Sequence, residues 1–381
     1  MKRLAIFGST GTIGLNTAEL ARRFPERFQV VALTAGKNLE LLRAQVREFQ
    51  PRVLVLQDAA DAALLSQEFS GCEVLWGESG LVQCARWDGI DIACQGILGF
   101  AALAPTLELI RTGKAVALAN KESLVVAGSL LRSELEKAQA PCIPVDSEHN
   151  AIFQLLEGRG LRGVESLVLT ASGGPFWNRP EVRWEDVTVE QAVRHPKWKM
   201  GPKISVDSAT LMNKGLEIVE AHFLFGVALD RIEAWVHPQS IVHGAVWYTD
   251  GTCQAQLSRP DMKASISHAL GFPERLPGAV AKLTLAEMAR LDFLPPDTAR
   301  FPLLDLPRRA LAQGQSSLIA LNAGNEIGVG AFLEGRLRFS QLAPFLMECL
   351  QRHAATPVDS LDAVFEIDKE SRMLAHSLLP R

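Results

Sequence analysis

The stretch "LAIFGSTGTIGLNTAELA", Leu4 to Ala21, constrains the fold more than any other part of the chain. A short apolar run meets a turn holding Gly8, Gly11 and Gly14, and an amphipathic run follows at once. That is the order strand, tight turn, helix. The order recurs through residues 1–145, where "FQVVALTAG", "RVLVLQ", "IDIACQGI", "AVALAN" and "PCIPV" read as buried strands. Helical spacing over Leu39–Phe49 and Ala101–Arg111 fills intervals between them. Such alternation predicts a doubly wound, Rossmann-like parallel sheet.

After Ser147 the pattern changes. "ESLVLTASGG", "RIEAWVHPQSIVHGAVWYTDG" and "CQAQLS" resemble strands of a more open sheet, interleaved with one strong helix, Asn213–Phe225. The span Pro273–Pro307 is proline-rich and reads as a linker, and from Ala310 the pattern is helical. The expected division is therefore 1–145, an α/β domain; 146–272, a central α+β domain; 273–307, a linker; and 308–381, a helical bundle.

Bulk properties exclude several classes. The 381 residues carry a formal net charge of −4 and no basic run, which argues against a nucleic-acid partner. No apolar run approaches a membrane span, and the start "MKRLAIFGSTG" lacks a signal-peptide core. Six cysteines form no CxxC pair, which suits reduced thiols in a cytoplasmic protein.

The glycine turn suits a dinucleotide. Glycine is needed where backbone approaches pyrophosphate, and the helix N-terminus then faces the anion. A plain tight turn is the alternative. The second strand ends in "LTAGKN", with no acid to hold a ribose hydroxyl but with Gly36, Lys37 and Asn38. A lysine and an amide suit a 2′-phosphate, so NADPH is expected rather than NADH, unless Lys37 is simply a solvated turn lysine.

Asp146 and Glu148 stand two residues apart where "PCIPV" ends. If the chain is still extended there, both carboxylates point to one side. Two hard oxygen donors suit Mg2+ or Mn2+ better than zinc. The competing reading is an ordinary capped terminus of a helix beginning near Ala151. Glu217, in the first turns of the helix Asn213–Phe225, is a third acid, although acids also favour helix N-termini for electrostatic reasons. Ser208, Asn213 and Lys214 cluster about that helix start, and "TASGGPF" offers Ser172; together they suit a phosphate cradle, although each singly reads as a cap or turn residue. "HPKWKMGPK", His195 to Lys203, places Trp198 between Lys197 and Lys199, as a substrate lid or as a loop packed into a local crevice. Asn120, Lys121 and Glu122 follow a strand, which puts Lys121 at the sheet's ligand-binding edge, able to hold a carbonyl or alkoxide oxygen, unless it is a plain surface lysine.

The motifs "GSTGTIG", "AGKN", "NKES", "PVDSEHNAIFQ", "ASGGPF", "HPKWKMGPKISVDSATLMNKGLE" and "HPQSIVH" resemble, in order, the signatures of the 1-deoxy-D-xylulose 5-phosphate reductoisomerase family. The resemblance spans residues 1 to about 270 and continues in "LNAGNEIGVGAFLEGRLRF". It implies NADPH- and divalent-metal-dependent conversion of 1-deoxy-D-xylulose 5-phosphate to 2-C-methyl-D-erythritol 4-phosphate in isoprenoid-precursor synthesis, by a homodimer. By position it implies metal ligands Asp146, Glu148 and Glu217. Ser147 and Lys121 would contact substrate oxygens, and Ser172, His195, Ser208, Asn213 and Lys214 would hold the phosphate end. Thr10, Gly11, Thr12, Ile13, Gly36, Lys37, Asn38, Asn120, Glu122 and Gly201 would meet NADPH, and Trp198 would be the lid tryptophan. Thr12 stands where the family commonly has serine and Ala171 where it has glycine; neither departure touches the implied chemistry. Two rivals are a metal-free NADPH-dependent dehydrogenase acting on a phosphorylated hydroxyketone, and a non-catalytic NADPH sensor.

Overall fold

The structure, a computed structural model, describes residues 1–198 and 200–380. Lys199, expected to flank the lid tryptophan, lies outside the described residues. The chain divides into two compact units, each assembled from separate stretches. Residues 1–123, 131–153 and 261–281 form the first; 124–130, 154–260 and 282–381 form the second.

The first unit is built on seven parallel strands: β1 (Lys2–Phe7), β2 (Phe28–Ala35), β3 (Val53–Leu56), β4 (Glu73–Trp76), β5 (Ile92–Gln95), β6 (Ala115–Leu118) and β7 (Cys142–Pro144). Their order is β4-β3-β2-β1-β5-β6-β7. Leu4, Ala5, Ile6 and Phe7 are all fully buried, so both faces of the sheet are covered, which is why β1 reads as a continuous apolar run. The strand order reverses between β1 and β5, and the turns that follow these two strands meet there. A switch point of this kind is where such sheets bind ligands. The edge strand β4 is absent from the sequence reading. It has four residues, begins with an acid and ends in the exposed Trp76, so it offers no apolar run.

The helix Lys263–Gly271 belongs to this unit, so the expected segment 146–272 contributes to both units. It packs against the helix Thr12–Arg23 and buries Ile266, Ala269 and Leu270. Lys2 Nζ donates to the carbonyls of Leu270 (2.9 Å) and Phe272 (3.0 Å), satisfying acceptors that a helix end leaves unpaired.

The second unit holds a four-stranded sheet, β8 (Val164–Ala171), β9 (Ile232–Val236), β10 (Val242–Tyr248) and β11 (Cys253–Leu257), in the order β11-β10-β8-β9. β8 runs parallel to β9, and β10 is antiparallel to β8 and β11. The helix Met212–Phe225 packs on β8 and β9. Four helices, Leu306–Gln313, Gln315–Leu333, Leu342–Arg352 and Leu361–Leu378, follow an irregular stretch tied to β9 by the bridge Val236↔Leu294. Phe176, fully buried, meets Trp184 and Phe339 edge-on at 5.7 and 5.4 Å between centroids. This aromatic cluster anchors the end of "ASGGPF" at Phe176.

Candidate active site

In the first unit the end of β2 holds the glycine turn. Gly8 N–H donates to Thr34 Oγ1 (2.9 Å) and Ser9 N–H to the Thr34 carbonyl (2.8 Å). The helix Thr12–Arg23 then begins at Gly11 with no capping side chain and no acid in its first turn. Its leading N–H groups face outward with positive dipole, suited to an anion. Gly14 is sterically required. A Cβ there would lie 2.3 Å from the Gly8 carbonyl oxygen and 2.5 Å from Ser9 Cα. Thr10 and Ile13 are half-buried beside the turn, and Thr12 is exposed.

Gly36, Lys37 and Asn38 are exposed after β2. Asn38 Oδ1 accepts from Leu41 N–H (3.1 Å), so its side chain caps the helix Leu39–Phe49. Asn120 is 2% exposed and its Oδ1 accepts from Ser123 N–H (2.9 Å). Its amide nitrogen reaches Ile97 and Gly99 carbonyls (3.1 and 3.0 Å) and Glu122 Oε2 (2.9 Å). Asn120 and Glu122 thus fix the turn after β5 against the turn after β6. Gly201 lies in the second unit, at the start of the helix Pro202–Ala209.

Lys121 Nζ lies 2.6 Å from Asp146 Oδ2, Ser147 Oγ donates to Glu148 Oε2 (2.5 Å), and His149 Nδ1 stands 4.0 Å from Asp146. The reason Asp146 and Glu148 stand together differs from the expected one. The helix starts at Ser147 rather than near Ala151, and Asn150 N–H donates to the Asp146 carbonyl (2.8 Å). Asp146 is therefore the residue before the helix and Glu148 lies in its first turn. A helix start projects them, not extended alternation. Sequence reasoning gave Asn150 no role. Its Nδ2 donates to the Pro144 carbonyl (2.7 Å) and lies 3.1 Å from His268 Nδ1, locking the helix start to β7.

In the second unit Ser172, His195, Ser208, Asn213, Lys214 and Glu217 are arranged about two helix ends. Gly174, at φ +70, approaches the Ser208 carbonyl so closely that a Cβ would lie 2.6 Å from it; only glycine serves there. Gly174 N–H donates to Ser172 Oγ (3.2 Å). His195 Nδ1 accepts from the N–H groups of Lys197 (3.1 Å) and Trp198 (2.9 Å), so Nε2 carries the proton and faces Ser172 Oγ at 2.9 Å. Trp198 is half-buried, its ring 6.3 Å from that of His243. Lys214 Nζ and Asn213 Nδ2 both reach the carboxylate of Glu217, which is 1% exposed. Sequence reasoning also missed Asp207, buried between Lys203 and Asn325, because its partner is remote in the chain.

Burial pushes His195, His243 and His268 down from 6.5 to about 4. Unfolded imidazoles bind protons between those values and the folded ones do not, so stability is lost as pH falls through this window. Thermal melts should show Tm falling steadily from about pH 6.5 to pH 4. His268→Asn should flatten the profile; an unchanged slope would remove His268 from the cause.

Residues 4–128 match the family model described as 1-deoxy-D-xylulose 5-phosphate reductoisomerase, residues 142–225 that of its C-terminal domain, and residues 257–374 the DXP reductoisomerase C-terminal domain. The 1-deoxy-D-xylulose 5-phosphate reductoisomerase of Burkholderia multivorans is 46% identical over 386 residues, covering 100% of this chain and 97% of that protein. A crystal structure of DOX-P reductoisomerase in complex with NADPH, fosmidomycin and magnesium matches with a TM-score of 0.94 at 38% identity, over 99% of this chain and 98% of that one. The enzyme of Zymomonas mobilis in complex with NADPH matches with a TM-score of 0.92 at 39% identity, over 99% of each chain. Motif order, two-sheet architecture and full-length similarity agree: the chain belongs to the 1-deoxy-D-xylulose 5-phosphate reductoisomerase family.

Proposed function

We propose that Asp146, Glu148 and Glu217 hold a divalent cation, Mg2+ or Mn2+, in an NADPH-dependent reductoisomerase. The chain is an oxidoreductase that converts 1-deoxy-D-xylulose 5-phosphate, with NADPH and a divalent metal, in isoprenoid-precursor synthesis. The product is 2-C-methyl-D-erythritol 4-phosphate. The observation that carries the metal assignment is the state of the carboxylates. Each has a charge or hydroxyl partner within its own unit: Asp146 has Lys121, Glu148 has Ser147, and Glu217 has Lys214 and Asn213. All three offer hard oxygen donors, the chemistry Mg2+ and Mn2+ prefer.

When bound, NADPH supplies the hydride and the cation supplies Lewis acidity toward the substrate's hydroxyketone oxygens. The chain's own residues bind and orient. Lys121 balances Asp146 and presents positive charge where substrate oxygen becomes negative. Ser147 orients Glu148 and contacts the substrate. Ser172, Ser208, Asn213, Lys214 and the Nε2–H of His195 take the phosphate, whose remote binding energy holds the reacting carbons in place. Trp198 closes over the substrate. Gly8, Thr10, Gly11, Thr12, Ile13 and Gly36 bind NADPH together with Lys37, Asn38, Asn120, Glu122 and Gly201. We place the enzyme in the cytoplasm, as a homodimer. All six cysteines are free, which suits a reducing compartment, and among the described residues no helix is long and apolar enough to cross a membrane.

NMR of the product tests this reading. A branched methyl-erythritol phosphate is expected, whereas an unbranched alcohol would mark a plain dehydrogenase. Cofactor choice is a separate prediction. Lys37→Ala should raise the KM for NADPH by about tenfold to a hundredfold, the scale of one charge-assisted contact, and barely change that for NADH. Equal losses for both cofactors would show that Lys37 does not read the 2′-phosphate.

A further inference from the structure

Asp207 is 1% exposed and stands one position before Ser208 on the helix Pro202–Ala209. Its Oδ2 lies 3.1 Å from Lys203 Nζ, one turn back on the same helix. Its Oδ1 accepts from Asn325 Nδ2 at 2.8 Å. Asn325 is itself 1% exposed and belongs to Gln315–Leu333, the long helix of the terminal bundle, which packs along the shorter helix. That long helix is in turn pinned to Leu361–Leu378, where Arg372 bridges Glu326 (2.7 Å) and Asp368 (2.6 Å).

A carboxylate buried this deeply persists only with good compensation. Lys203 provides charge but not location, because it travels with the same helix. Asn325 provides location, because it is fixed to the bundle. The helix Pro202–Ala209 could form without it, since Pro202 suits a first helical position and the backbone bonds are its own. Its placement is what the contact adds. That placement reaches further than Ser208. The Ser208 carbonyl is in close approach to Gly174, and Gly174 N–H holds Ser172 Oγ. A shift of the short helix therefore moves both serines.

We infer that Asn325, acting through Asp207, is a positioning residue for the phosphate pocket, so that the terminal bundle sets the geometry of Ser208 and Ser172. The inference rests on the assignment of those serines to the substrate phosphate.

Asn325→Leu keeps the branched shape of the side chain and removes the donor. The KM for 1-deoxy-D-xylulose 5-phosphate should rise about tenfold, as expected when a binding group is displaced from afar. The inhibition constant of inorganic phosphate should rise in parallel, while the KM for NADPH stays unchanged. Val329→Ala, a buried position on the same long helix, serves as the stability control: it opens a cavity and lowers Tm without touching Asp207, and both KM values should stay put. If Asn325→Leu does not fold, Asn325→Ala, which also removes the donor to Asp207, is read the same way. An unchanged KM, or an equal rise in Val329→Ala at equal loss of Tm, overturns the inference. Ser208→Ala separates this from the parent assignment. If it raises the KM and Asn325→Leu does not, only the positioning role falls; if neither variant does, the phosphate assignment falls.

Discussion

Glu217→Gln should lower turnover by about a thousandfold, the scale of removing one group that stabilises developing charge, and leave NADPH affinity within about twofold. Glu217 lies in the first turns of the helix Met212–Phe225 and is 1% exposed. Gln keeps its shape and removes its charge. A neutral amide is a poor ligand for a hard cation, and it removes a counter-charge that pairs with the buried Lys214. Some loss of stability is therefore expected, and rates must be taken per folded molecule. Excess Mn2+ should recover part of the activity, because weakened metal binding can be offset by mass action. Asp146→Asn and Glu148→Gln should behave alike. Full metal-dependent activity in any one of the three would remove that residue from the ligand set.

Trp198→Ala should cut kcat/KM for 1-deoxy-D-xylulose 5-phosphate by about a hundredfold, with Tm nearly unchanged. The loop is held by its backbone. Its N–H groups at Lys197 and Trp198 donate to His195, and a mutated side chain leaves those bonds in place. The indole is half-buried near His243, so it is presented by the loop without being sunk in a core. In the proposed lid role, closing over the substrate would exclude water and complete the site. If the variant melts several degrees lower and each folded molecule works normally, Trp198 is a packing residue.

The glycine turn was legible because its signals are local. Gly8, Gly11 and Gly14 are close in sequence, and the contacts that demand glycine at position 14 come from the same turn. Lys121, Asp146 and Glu148 were legible as residues at strand ends, which in a parallel sheet gather at one edge. Their geometry was not, because the polar residues Asp146 to His149 mask a helix start that begins ahead of its apolar pattern. In the helix Lys263–Gly271 every residue from Ser265 onward is buried, and nothing in so short a run says which core it joins. The pair Asp207–Asn325 spans 118 positions and leaves no local trace at all. Long-range polar contacts of this kind emerge only when the fold sets two elements side by side.

The most direct test of the central claim is NADPH oxidation followed at 340 nm, as an order-of-magnitude rate, with 1-deoxy-D-xylulose 5-phosphate before and after EDTA. The account predicts substrate-dependent oxidation that EDTA abolishes and that added Mg2+ or Mn2+ restores. Oxidation that continues undiminished in EDTA would contradict it, as would a protein that binds NADPH and never turns it over.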